Sequence, residues 1–107
     1  MTVTGQARTL APTVDLTAYR IVQESLTNAL RYAGPTTAQV TLSYTDQDLH
    51  VEVLDGGRGR VDGTPEGAGH GIAGMRERAE AAGGTLVAGP HPEGGFRVQA
   101  RLPLNSP

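Results

Sequence analysis

The sequence predicts one two-layer α/β (α+β) domain, a mixed and mostly antiparallel sheet covered on one face by helices. Two stretches, Leu16 to Ala33 and Ile72 to Ala82, place an apolar residue every third or fourth position, the signature of an amphipathic helix. Three others, Ala38–Tyr44, Leu49–Val53 and Phe96–Leu102, alternate apolar and polar residues as half-buried strands do. With 107 residues the chain is long enough for one such core and no more, so residues 1–107 read as a single domain. Two helices with one apolar face each, and strands with one apolar face each, bury those faces against one another.

Residues 2–8 suggest a short edge strand. Ala11-Pro12 breaks the chain, and Thr13 or Asp15 is placed to cap a helix running to about Ala33. Its expected buried stripe is Leu16, Tyr19, Val22, Leu26, Ala29, Leu30 and Ala33, and Gly34-Pro35 stops it. Ala38, Val40, Leu42 and Tyr44 then share a strand face, Asp46-Gln47-Asp48 turns the chain, and Leu49, Val51 and Val53 continue as the second arm of a hairpin. From Asp55 to Gly71 the chain carries seven glycines and one proline with little apolar content. A segment this long and polar inside a small domain reads as a functional lid, most mobile from Arg58 to Gly69. Ile72, Met75, Ala79 and Ala82 form the second helix, which Gly83-Gly84 ends. Thr85–Gly89 and Phe96–Leu102 close the chain as a second hairpin.

Composition removes several function classes. No run approaches the roughly 20 apolar residues needed to cross a bilayer, and no leader pattern opens the chain. The domain is therefore expected to make no membrane contact and to work in the cytoplasm, whether or not its parent is anchored in a membrane. Cysteine is absent, which excludes disulfides and thiolate metal sites. All nine basic residues are arginine, so a Walker-type phosphate loop with its required lysine is excluded. A net charge of −2 without a basic stripe argues against nucleic-acid binding. The three histidines show no metal-ligand spacing, and no serine stands in a nucleophile elbow.

Three clusters carry the chemistry. On the first helix Glu24 and Asn28 lie one turn apart, with Arg31 three residues further on, so all three project from one side. The Asn28 amide oxygen is a hard neutral ligand suited to Mg²⁺, and Glu24 suits a metal-bound water or an attacking group. Asp55 continues the apolar face of its strand, so its carboxylate points into the layer between sheet and helices, where it needs a donor such as an adenine amine. The glycines behind it let a flat base approach the backbone. Gly69-His70-Gly71-Ile72-Ala73-Gly74 spells a dinucleotide-binding string, but it follows a glycine-rich lid, and no parallel crossover is expected around it. What remains is a flexible loop delivering N–H groups at a helix start, where an anion is favoured, with His70 touching phosphate or capping the helix. Taken singly, the first cluster also fits a solvated helix face, Asp55 a turn start, and the glycine string a surface loop. Together they read as a site for a magnesium nucleoside triphosphate.

The run Gln23 to Ala33, the pattern Asp55-x-Gly57-x-Gly59 and the run Gly69 to Arg78 resemble the ATP-binding domain of sensor histidine kinases, closest to the branch paired with helix-turn-helix response regulators. The resemblance covers about residues 14–104. It implies the GHKL-type ATPase fold with an ATP lid, shared by gyrase, heat-shock chaperones and mismatch-repair ATPases, and it implies ATP and Mg²⁺ as cofactors. By that resemblance Asn28 is the magnesium ligand, Glu24 its catalytic neighbour and Arg31 a phosphate contact. Asp55 reads adenine, Gly57 and Gly59 shape the base pocket, and Gly69, His70, Gly71, Ile72 and Gly74 belong to the phosphate-facing end of the lid. The implied partners are the phosphoacceptor histidine domain of the parent kinase, absent from this chain, and a cognate response regulator. The isolated domain is expected to be a monomer with little turnover, its parent a homodimer. Three positions depart from the family pattern: Tyr32 where His is frequent, Gly56 where Asp or Asn is usual, and Phe96 where Thr is common. An anti-sigma-factor-like serine kinase and a non-catalytic scaffold of the same fold are the alternatives; the run Gly74 to Gly84 favours the sensor-kinase branch.

Overall fold

Side-chain alternation across the long strands sets the architecture. In the computed structural model, which describes residues 2–5, 11–29, 38–56, 68–92 and 94–104, the elements in chain order are β1 (Thr2–Thr4), α1 (Pro12–Asn28), β2 (Ala38–Tyr44), β3 (Asp48–Asp55), α2 (Ala68–Ala81), β4 (Thr85–Pro90) and β5 (Phe96–Pro103). The strands form one sheet in the order β1-β2-β3-β5-β4. Only β1 and β2 are parallel neighbours; β2–β3, β3–β5 and β5–β4 are antiparallel. Leu49, Val51 and Val53 of β3 and Phe96, Val98, Ala100 and Leu102 of β5 are buried against the helices, as the alternation requires.

These directions correct one expectation. Because β3 and β4 both pair antiparallel with β5, they run parallel to each other, and β3-α2-β4 is a crossover with β5 between its strands. A parallel crossover therefore does surround the glycine string. The unit β1-α1-β2 is a second crossover, and in each the helix runs back against its strands. It follows that α1 ends, β3 ends, and α2, β2 and β5 begin at one edge of the sandwich.

The buried face of α1 is rotated from the expected stripe. Val14, Thr17, Ala18, Ile21, Ser25 and Asn28 are buried, together with Ala29, whereas Leu16 and Tyr19 are 54% and 63% exposed. Val22 and Leu26 are half-buried at the flank of the core; Leu30 and Ala33 lie outside the described residues. Hydropathy counting passes over Thr17 and Ser25, yet both are small and both have partners. Thr17 Oγ1 donates to the Thr13 carbonyl at 2.7 Å, and Ser25 Oγ donates to Met75 Sδ at 3.5 Å. A satisfied hydroxyl is cheap to bury.

Pro12 is the first residue of α1 rather than a break before it, and Ala11 occupies the cap position without a side-chain hydrogen bond, so neither Thr13 nor Asp15 caps the helix. Proline suits that place because its missing N–H has no intrahelical partner there. The expected stop at Gly34-Pro35 lies outside the described residues, as does the stretch 6–8 of the expected edge strand. The end of α2 follows the sequence closely. Gly84 N–H donates to the Ala79 carbonyl at 2.8 Å and Gly83 N–H to Glu80 at 2.9 Å, with Gly83 at φ +87°, a Schellman cap. No helix among the described residues is long and apolar enough to cross a membrane.

Candidate functional site

The shared edge of the two crossovers collects the chemistry-bearing residues. Asp55 is the last residue of β3 and is buried, 4% exposed, on the face that packs against the helices. Its ladder neighbours are Ala38 at the start of β2 and Phe96 at the start of β5. Beyond Phe96 the turn Gly94-Gly95 closes on Asp55: a Cβ on Gly95 would overlap the Asp55 carbonyl oxygen and crowd Gly56. The Asp55 backbone is thus flanked on both sides, and the β4–β5 hairpin abuts the residue proposed to read a base. The glycine pair was visible in the sequence as a turn; its contact with Asp55 was not, because it depends on the β3–β5 register.

Asn28 closes α1 at the same edge. It stands on the buried stripe itself, 6% exposed, and its side-chain amide has no hydrogen-bond partner among the described residues. Buried amides are satisfied by protein groups, ordered water or a ligand. Glu24, one turn earlier, is half-buried at the flank of that stripe. No group of three or more potential metal-binding His, Asp or Glu side chains occurs among the described residues.

α2 begins earlier than the spacing suggests. Its first residue is Ala68, so Gly69, His70, Gly71, Ile72 and Gly74 are all helical and do not form a loop leading into a helix. The backbone N–H groups of the first four residues still lack intrahelical acceptors, and the first turn contains no acidic residue, so this terminus remains suited to an anion. Ile72 is half-buried against the core. An added Cβ on Gly74 would meet no atom of the described residues within 4 Å. Arg31, Gly57 and Gly59, and positions 57–67 of the lid expected from Asp55 to Gly71, lie outside the described residues.

The sequence and the fold match a known class. The family described as histidine kinase-, DNA gyrase B- and HSP90-like ATPases matches residues 13–106, and the chain belongs to it. YxjM, a sensor histidine kinase of Bacillus subtilis (strain 168), is 39% identical over 93 residues, 87% of this chain and 22% of YxjM. NreB, an oxygen sensor histidine kinase of Staphylococcus carnosus (strain TM300), is 42% identical over 74 residues, 68% of this chain and 21% of NreB. Among solved structures, the ATP-binding domain of PrrB from Mycobacterium tuberculosis superposes with a TM-score of 0.65 at 25% identity, covering 98% of this chain and 80% of that one. The chain spans about a fifth of the length of the curated relatives it matches.

Proposed function

We propose that this chain binds Mg-ATP as the catalytic domain of a two-component sensor histidine kinase. In this reading the domain presents the γ-phosphoryl group to a histidine on a separate helical domain of the parent protein, from which it is relayed to a response regulator. Asp55 accepts a hydrogen bond from the adenine amine, and the N-terminal turn of α2 faces the phosphates. Asn28 would hold Mg²⁺ through its amide oxygen, and Glu24 would orient a water or the attacking imidazole. Bound magnesium would neutralise charge on the β- and γ-phosphates. In the transfer an imidazole nitrogen lone pair forms the P–N bond, the bond from the γ-phosphorus to the bridging oxygen breaks, ADP leaves with that electron pair, and the other ring nitrogen releases its proton to solvent. Such a step depends mainly on positioning and electrostatics, so the domain without its acceptor should turn over little.

The observation that carries this reading is the Asn28 amide, buried and unpartnered among the described residues, at the edge where β3 ends in Asp55 and α2 begins. Titration calorimetry of wild type and Asn28→Ala with ATP, in magnesium and in chelator, tests it. Wild type should bind more tightly with magnesium, and the variant should lose that gain while keeping the metal-independent part. Equal response of the two proteins to chelation would remove Asn28 from the metal site.

A further inference from the structure

Ser25 and Met75 join the two helices at a buried point. Ser25 Oγ donates to Met75 Sδ at 3.5 Å, with the serine 4% exposed and the methionine fully buried. Ser25 is the residue after Glu24 and lies one turn before Asn28, on the same buried stripe. Met75 is the next residue after Gly74, about two turns into α2. The two crossovers make the helices antiparallel, so from this contact α1 rises toward Asn28 and α2 descends toward its own N-terminus at the same edge.

We infer that Ser25 and Met75 are positioning residues, a clasp that sets the spacing between the metal-binding end of α1 and the phosphate-facing start of α2. The inference rests on the nucleotide reading above and adds to it a determinant within the helix layer. Asp55 belongs to the sheet, anchored through β2 and β5, so the clasp does not govern the base. Thioether sulfur is a weak acceptor, but it is polarisable and adaptable, and a buried hydroxyl with this partner fixes one rotation of α2 against α1. Leucine at position 75 would fill the same space without accepting the hydroxyl.

The test compares Mg-ATP, which spans both helix ends, with AMP, whose recognition is dominated by the base. Met75→Leu and Ser25→Ala should each weaken Mg-ATP binding about threefold, within the roughly tenfold ceiling that one modest buried hydrogen bond sets on the preorganisation it provides. AMP affinity, followed by NMR titration, should stay within about twofold of wild type, and the double variant should be little worse than either single one because both remove the same contact. Wild-type Mg-ATP affinity in both single variants would overturn the clasp and leave the nucleotide site standing. An equal loss for Mg-ATP and AMP would overturn it as well, marking a general packing defect. A wild-type protein that binds neither nucleotide would sink the clasp and the nucleotide reading together.

Discussion

Gly95 lies so close to Asp55 that a Cβ on the glycine would overlap the aspartate's carbonyl oxygen, and Gly95 holds φ +86°, where side chains are strained. The next residue, Phe96, pairs with Asp55 across β3 and β5. The turn at the tip of one hairpin therefore sets where the neighbouring strand ends and how its last carboxylate is presented.

Gly95→Ala should consequently harm both stability and binding. The left-handed backbone alone costs roughly 1–3 kcal/mol for a non-glycine residue, and the overlap adds displacement of Asp55. Gly94→Ala is the matched control: Gly94 has φ +103°, but a Cβ there meets no atom within 4 Å. Urea unfolding should show both variants destabilised, while calorimetry should show weakened ATP binding for Gly95→Ala only. Equal ATP affinities for the two variants would mean that the turn does not position Asp55.

Asp55→Asn tests the base directly. The residue is buried beside Phe96, and an amide in its place can donate where an adenine amine needs an acceptor. Losing one charge-assisted hydrogen bond costs roughly 1.5–3 kcal/mol, about tenfold to a hundredfold in affinity. The domain should remain folded by circular dichroism, with ATP binding reduced by that factor. Unchanged affinity would remove Asp55 from nucleotide recognition.

The order of elements and the pairing of both hairpins were legible in the sequence because strand alternation leaves little choice of register once one face is buried. Leu49, Val51 and Val53 had only one way to face the core. The face of α1 was not legible, because its buried stripe includes Thr17, Ser25 and Asn28, which hydropathy counts as surface. Two of these have intramolecular hydrogen bonds, and the third is the candidate metal ligand. The misreading thus fell on the candidate site, where the chain departs from a purely apolar stripe. The start of α2 was missed for a related reason: three glycines between positions 69 and 74 lower helix propensity, yet Met75 and Ala79 hold the helix against the core.

Surface and core substitutions on α1 separate the two readings of its face. Leu16→Gln and Tyr19→Gln replace exposed side chains and should change stability by no more than about 0.5 kcal/mol. Ile21→Ala removes a fully buried side chain and should cost roughly 2–5 kcal/mol. Chemical denaturation of the three variants gives the ranking. A large loss at Leu16 or Tyr19 with little at Ile21 would restore the stripe expected from hydropathy.

Gly74→Ala sets stability against function at one position. Glycine within a helix is less favourable than alanine by roughly 0.5–1 kcal/mol, and here the added methyl meets no atom of the described residues within 4 Å. The substitution should raise the unfolding free energy of the nucleotide-free protein by about that amount, since none of the described residues opposes it. A stabilising replacement of this kind is often costly where a ligand approaches the backbone. If Gly74 belongs to the phosphate-facing surface, Mg-ATP must come close to a backbone that the methyl would shield, and its affinity should fall while stability rises. Thermal unfolding without nucleotide and calorimetry with Mg-ATP read the two effects separately. Greater stability with undiminished Mg-ATP affinity would place Gly74 outside the site and confine the anion contact to the first turn of α2.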